Sequence, residues 1–411
     1  MKTILFIILP YQSHLFATFD FAKKLQKSEA KIVFTGNKHL KELIEAQGFI
    51  YEELTYIQEN VISKPSIFFA YLIHSLLSKK QKKIRYRAFY QAKQEIENLI
   101  QKYQPEQVFI DEYIADYYFL IKKDVNVSLI NTRPSTKRVK GIPPLNSSFK
   151  PTYSVFSNII CEYLWIKHLW KREINEFVYY LAYGGVDEKV FLYRMAKKNG
   201  KNYQLEIDKN HCLNKSIKGI TTYNLSPLSF EFSFRKPQKN EEFFFEKHHR
   251  NETQYMDMNY TKLINHVKQM QLQGKKIIYL SFGTLSSVHL QDVLFFIERL
   301  TAVFSRKKNL ELIISGIEYK PKNHYTNVFT YSFIPQVDFL KYVDLMINHG
   351  GIGSIKECIQ NNVKILAYPL NPKTDQKGCA VRVELLGYGF KGDIKESVSE
   401  IECKINRLLG L

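Results

Sequence analysis

At residues 343–347 a short apolar run of strand length breaks into Asn348-His349-Gly350-Gly351-Ile352-Gly353-Ser354, and a helical pattern continues to about residue 361. A strand that turns through glycines into a helix N-terminus makes an anion site. The glycines let backbone N–H groups approach a ligand. The first-turn amides have no helical partner, and the helix dipole favours negative charge there. His349 and Ser354 can each donate a hydrogen bond to a phosphate. Glu357 lies one helical turn further on, where a carboxylate suits sugar hydroxyls better than phosphate. The stretch reads as a site for a nucleotide with a ribose.

Two more motifs stand at fixed distances from it. Phe333-Ile334-Pro335-Gln336 lies upstream, with Gln336 thirteen residues before His349, and Asp375 follows Glu357 by eighteen, paired with Gln376. This ordered set resembles the nucleotide-sugar signature of the UDP-glycosyltransferases of the GT-B fold (glycosyltransferase family 1), in the spacing of its bacterial macrolide- and carotenoid-glycosylating members. The resemblance is strongest over roughly residues 275–390. It implies an α/β chain of two Rossmann-like domains facing each other across a cleft. It also implies roles. Ser281, Gly283 and Thr284, after a strand at 276–280, contact the diphosphate and the transferred sugar. Phe333 stacks on the uracil, and Gln336 reaches base or ribose. His349, Gly351, Gly353 and Ser354 hold the phosphates, Glu357 takes the ribose, and Asp375 and Gln376 bind sugar hydroxyls. Cys379 stands where the family often has Asn.

In the first half, strands at 3–9, 31–35 and 49–51 alternate with helices at 15–26 and 38–47. Ligands of open α/β sheets bind beyond the carboxyl ends of the strands, and the loop after the first strand is read as carrying His14. The resemblance makes His14 the general base for an acceptor hydroxyl, although the family's Gly-His-x-x-Pro reads Ser13-His14-Leu15-Phe16-Ala17 here. A strand at 107–110 delivers Asp111-Glu112, and the resemblance gives Asp111 a hydrogen bond to the histidine. An imidazole that takes a proton becomes imidazolium, which an oriented carboxylate stabilises. The plain alternatives are a capping or merely exposed His14, and an Asp111 that only caps the helix running to Leu120. Residues 154–200 are helical in pattern and dense in aromatics, among them Phe156, Tyr163, Trp165, Trp170 and Phe177. Such a segment suits an apolar acceptor cleft, with most of its aromatics in the core. A strand at 217–222 ends the first domain. The division expected is 1–235 for the acceptor-binding domain, a polar linker at 236–260, and 261–411 for the nucleotide-sugar domain, with the last helix able to pack back on the first domain.

The 411 residues carry a net charge of +19. The lysines are dispersed and show no zinc-finger or recognition-helix pattern, which argues against nucleic acid. The charge suits peripheral contact with an anionic membrane, as does the apolar stretch at 66–78 followed by the basic cluster at 79–87. Five scattered cysteines without a C-x-x-C pair argue against a disulfide framework and fit a reducing cytoplasm. Residues 3–9 read as a strand, not a signal peptide, and no run approaches the ~18 apolar residues of a spanning helix. No Asp, Glu or His cluster has metal-ligand spacing, so neither a metal nor a cofactor is expected beyond a UDP-sugar as co-substrate. The expectation is an inverting transferase moving a hexose, from UDP-glucose first, to a hydroxyl of an apolar acceptor. A non-catalytic nucleotide-sugar-binding protein, or a UDP-sugar epimerase or lipid-linked-sugar transferase of the same fold, are the alternatives.

Overall fold

The structure is a computed structural model that describes residues 2–27, 29–56, 79–182, 188–244, 257–283, 289–317, 319 and 325–411. It has two compact units, Met1–Pro144 with Pro151–Leu228 and Arg235–Glu246, and Leu145–Lys150 with Ser229–Phe234 and Lys247–Leu411.

The first unit begins with β1 (Thr3–Ile7), α1 (Gln12–Gln26), β2 (Lys31–Gly36), α2 (Lys41–Glu45) and β3 (Ile50–Glu53). It continues through α3 (Lys79–Tyr103), β4 (Gln107–Asp111), a 3₁₀ segment (Glu112–Leu120), β5 (Val127–Asn131), α4 (Val155–Ala182), α5 (Glu188–Lys198) and α6 (Tyr203–Glu206). The short strands β6 (Ile207–Asp208), β7 (Ser216–Ile217), β8 (Thr222–Asn224) and β9 (Glu241–Phe243) complete it. Seven strands form a parallel sheet in the order β3-β2-β1-β4-β5-β8-β9. Its strands are apolar on both faces because both are covered. On one face Phe6 stacks on Phe34 and Phe109, with centroids 4.6 and 5.0 Å apart, and Phe21 meets Phe109 edge-on. On the other, Leu5, Ile7, Val108 and Ile110 pack with Phe89, Phe119 and Phe191.

The second unit holds α7 (Met258–Leu272), β10 (Lys276–Ser281), α8 (Leu290–Phe304), β11 (Leu310–Ser315), β12 (Val328–Tyr331), α9 (Gln336–Phe339) and β13 (Leu345–Asn348). Then come α10 (Ile352–Gln360), β14 (Lys364–Ala367), α11 (Gln376–Leu385), β15 (Gly389–Lys391) and α12 (Val398–Leu409). Six parallel strands run β12-β11-β10-β13-β14-β15. The last helix, α12, opens with a capping box between Ser397 and Glu400 and buries Ile401 and Ile405 in this unit's own core. The segments 145–150 and 229–234 are fastened to α11. A Cβ on Gly378 would lie 2.1 Å from the Leu145 carbonyl, so only glycine admits that approach. Arg382 pairs with Glu231 at 2.9 Å, both side chains buried, and lies over the Phe232 ring.

Several elements differ from the sequence reading. His14 lies in the first turn of α1, not in the preceding loop. The segment after Asp111 is a 3₁₀ helix, and the strand expected at 217–222 is two strands, β7 and β8, in different sheets. Within the stretch read as a linker, Glu241–Phe243 pairs with β8 at the sheet edge. The aromatics of α4 are not core in the main: Trp165 is buried, whereas Phe156, Tyr163, Trp170 and Phe177 are exposed. The apolar stretch at 66–78 lies outside the described residues, and the basic cluster that follows it begins α3.

Beside the strand ends of the first unit, His211 is buried between two carboxylates. Its Nδ1 is 3.3 Å from Glu112 and 2.8 Å from the Thr136 hydroxyl, and its Nε2 is 3.5 Å from Asp208. Burial alone would lower the imidazole, but Asp208 and Glu112 raise it from 6.5 to about 9. The folded state therefore holds this proton more tightly than the unfolded chain does. The resulting stability is complete below about pH 6.5 and fades as pH rises through about 9. Burial lowers Lys201 to about 7, so it titrates with the opposite sign, and the test must be a difference between variants. Urea melts of wild type and His211→Gln should show a stability gap that is widest at pH 6 and shrinks steadily to pH 9.5. A gap independent of pH would contradict the charged His211.

Candidate functional site

In each sheet the chain winds outward in both directions from one pair of strands. In the first unit these are β1 and β4, and in the second β10 and β13. The loops beyond such a pair part to opposite sides and leave a crevice, where ligands of open α/β sheets bind.

At the first switch point the chain leaves β1 and enters α1, which presents His14, while β4 ends at Asp111. The two meet with Nδ1 to Oδ2 at 2.6 Å, the aspartate fully buried and the histidine nearly so. Asp111 is fixed from several directions. The backbone N–H of Tyr113 donates to its Oδ1 at 3.0 Å, and that of Leu9 donates to Oδ2 at 3.3 Å. It thus caps the 3₁₀ helix and binds His14 at once, so the two readings of this aspartate are both realised. Burial would raise its carboxyl, but His14, the Tyr113 N–H and Arg133 outweigh burial and hold it below the usual range. The carboxylate stays ionised, accepts from Nδ1–H and leaves Nε2 as the basic nitrogen. Tyr113 closes edge-on against the imidazole at 4.6 Å, and the Arg133 guanidinium stacks 3.7 Å over Tyr113. Glu112 turns away to His211, Thr136 and Arg133. Tyr113 and Arg133 carried no signal in the sequence, because their spacing to His14 exists only once β1 and β4 pair.

At the second switch point β10 ends in Ser281-Phe282-Gly283 and β13 in Asn348, with Ser281 and Asn348 in register. Thr284 lies outside the described residues. The Asn348 side chain accepts from the Gly350 N–H at 2.8 Å and shapes the turn. Gly350 has φ +81°, and a Cβ there would also meet the Gln376 carbonyl at 2.9 Å. The next positions are governed by His349, whose ring lies against the Cα of Gly351: a Cβ on Gly351 would sit 2.5 Å from Nε2, and one on Gly283 would sit 3.4 Å from Cε1. The residue is half-buried, its Nδ1 is shielded from solvent with no hydrogen-bond partner among the described residues, and desolvation pushes it down to about 4, so it is neutral at physiological pH. Above Gly353 the space within 4 Å of a would-be Cβ is open. The N-cap of α10 is Gly351, which has no side chain to cap it, so among the described residues its first-turn amides stay available.

Gln336, Ser354 and Glu357 converge. The Gln336 amide donates to Ser354 Oγ at 3.1 Å and to Glu357 Oε2 at 2.5 Å, and Glu357 is buried beneath it. Phe333 stands exposed before Pro335. Asp375 heads α11 without capping it, and the Cys379 thiol donates weakly to its carboxylate over 3.8 Å. Burial, with Asp375 adding to it, pushes that thiol well above the usual range, so Cys379 is no thiolate. Gln376 is buried and its side-chain oxygen accepts from the N–H groups of Leu370 and Asn371 at 2.8 and 2.9 Å. Gln376 therefore positions the 370–371 loop, leaving only its amide N–H groups for another partner. Among the described residues no group of three or more His, Cys, Asp or Glu is arranged so that it could hold a metal ion.

Residues 208–405 match the family model described as "UDP-glucoronosyl and UDP-glucosyl transferase". Over this region the chain is similar to the UDP-glycosyltransferases. A Bacillus subtilis (strain 168) protein described as the uncharacterized UDP-glucosyltransferase YdhE is 30% identical over 142 residues, which span 32% of this chain and 34% of that protein. The chain thus matches about a third of this relative's length. Among solved structures, the glycotransferase of kitacinnamycin has a TM-score of 0.61 at 14% identity, covering 99% of this chain and 90% of that one. The spinosyn rhamnosyltransferase SpnG complexed with thymidine diphosphate has a TM-score of 0.52 at 13% identity, covering 100% and 92%. These likenesses establish the fold, two Rossmann-like α/β units of the GT-B class.

The glycines of the turn separate packing from access. Gly351→Ala, at an unstrained φ of −68°, forces a methyl into the His349 ring and should cost roughly 1–3 kcal/mol in urea unfolding. Gly353→Ala meets nothing and should be neutral or stabilising by up to ~1 kcal/mol. Equal effects would contradict the placement of the ring.

Proposed function

We propose that the protein is an inverting glycosyltransferase that moves a hexose from a UDP-sugar, UDP-glucose first, to a hydroxyl of an apolar small-molecule or lipid-like acceptor, with His14 as general base. The observation that carries the reading is the 2.6 Å bond between His14 and the buried, ionised Asp111 at a sheet's switch point. Asp111 fixes the tautomer with Nε2 unprotonated and stabilises the imidazolium once it forms. The acceptor proton passes to Nε2 as its oxygen bonds to the anomeric carbon. The bond from that carbon to the diphosphate breaks on the opposite face, which inverts the centre.

The donor fits the second unit. The diphosphate lies at the uncapped start of α10, over Gly353, where unpaired amides face the charge that grows on the leaving group. Ser354, whose oxygen accepts from Gln336, keeps its O–H to donate to a phosphate. The neutral His349 adds a donor without needing a charge, and Gly283 gives it room. Ribose hydroxyls replace the Gln336 amide at Glu357, and the uracil stacks on Phe333. Asp375 accepts from sugar hydroxyls, while Gln376 holds the loop beside it. The Thr284 contact rests on the resemblance. The SpnG structure holds thymidine diphosphate, which would also stack on an aromatic; a carboxylate at the ribose favours UDP.

His14→Ala should lower turnover by ~10²-fold or more with UDP affinity nearly unchanged. Asp111→Asn should slow turnover in the same direction, because it admits the wrong tautomer. Steady-state transfer to a panel of apolar alcohols and phenols, with nucleotide affinity measured by calorimetry, checks both. Turnover that survives His14→Ala would mean that another group is the base.

A further inference from the structure

The helix α4 (Val155–Ala182) is apolar on two sides. Its inner side is anchored by Trp165, whose Nε1 donates to the Ile142 carbonyl at 2.7 Å, and by Cys161. Its outer side carries Phe156, Ile159, Tyr163, Ile166, Trp170, Ile174 and Phe177, all exposed on the first unit's surface, Trp170 at 70% and Phe156 at 80%. Four of these, Phe156, Tyr163, Trp170 and Phe177, recur every seventh residue and so share one line along the helix. The stripe runs from Phe156 to Phe177, roughly 32 Å along the helix. A row of large apolar groups of that extent does not stay bare without a reason.

We propose that this outer face of α4 lies in the headgroup region of an anionic lipid membrane, parallel to its surface. Three observations choose this occupant. A small ligand needs a concave pocket, and the stripe is the convex face of one helix. A second copy of the chain would bring another +19 charge against the first, whereas an anionic surface attracts that charge. The charges on the helix itself are sorted in the same sense. Glu162 pairs with Arg138, Glu173 with Lys209, and Glu176 with Lys189 and Lys215, so the carboxylates are neutralised. Lys167, within the apolar stripe, and Lys171, at its rim, make no ion pair among the described residues. Their long stems can follow the apolar surface while the ammonium groups reach lipid phosphates. Tyr163 and Trp170, with an apolar body and a polar edge, suit the depth between acyl chains and headgroups. The face is distinct from the basic run at 79–87 and needs no helix to cross the bilayer.

The test uses the full chain with vesicles of phosphatidylcholine alone and of phosphatidylcholine with phosphatidylglycerol. The two tryptophans help, because Trp165 is buried and Trp170 exposed. Flotation should show binding to the anionic vesicles. Lipids brominated on the acyl chains should quench tryptophan emission, and Trp170→Phe should remove that quenching. Ile174→Glu combined with Phe177→Glu should weaken partitioning by at least ~10-fold, with circular dichroism melts like wild type because both positions are exposed. High salt should weaken binding and leave part of it, since apolar burial is not screened. No vesicle binding, binding untouched by the double variant, or binding wholly abolished by salt would overturn the proposal. A lipid-independent dimer that the double variant dissociates would also overturn it and make the face a self-interface.

Discussion

The parallel pairings of β1 with β4 and of β10 with β13 decide where every candidate functional group stands. In the first, Ile7 lies opposite Ile110, so the chain leaving β1 and the last residue of β4 end side by side. In the second, Ser281 lies opposite Asn348, so the two loops of the nucleotide half start at the same level. A slip along either strand would move His14 away from Asp111, or Gly283 away from His349. The core opposes such slips. Phe6, Phe34 and Phe109 stack across three neighbouring strands on one face of the sheet, and moving β1 would break both stacks.

The two halves use different means for their polar groups. The His14–Asp111 pair is electrostatic: a buried carboxylate kept ionised by backbone N–H groups and nearby positive charge orients an imidazole. The glycine turn is steric. Gly350 supplies a left-handed φ, Gly351 makes room for the His349 ring, and Gly353 leaves space that no described residue fills. A helix start without a capping side chain, beside a neutral, half-buried histidine whose Nδ1 has no partner among the described residues, suits an anion that brings its own charge.

Much of this was legible in the sequence. The alternation of apolar strand and helix runs pointed to the parallel architecture, and the motifs around the glycine turn include Gln336, Ser354 and Glu357, which meet in space. What escaped has physical causes. The start of α1 was placed three residues late because no Ser, Thr, Asp or Asn caps it; Tyr11 stands at that position. β9 was hidden because Glu241-Glu242-Phe243 is an edge strand without apolar alternation, chosen by its neighbour β8. The outward aromatics of α4 were read as core because a helix apolar on most sides normally signals burial, and periodicity alone cannot name what covers a face. The buried Glu112–His211–Asp208 group joins three separated segments, and no local pattern announces such a meeting.

The central claim is that a nucleotide-sugar diphosphate lies over Gly353 at the start of α10. The most direct measurement is a thermal-shift comparison of UDP-glucose, dTDP-glucose and UDP on wild type and Gly353→Ala, a substitution that touches nothing in the free protein. At ~100 times its dissociation constant the true ligand should stabilise wild type by about 2.7 kcal/mol, and that shift should collapse in the variant. No shift with any nucleotide, or equal shifts in both proteins, would contradict the account.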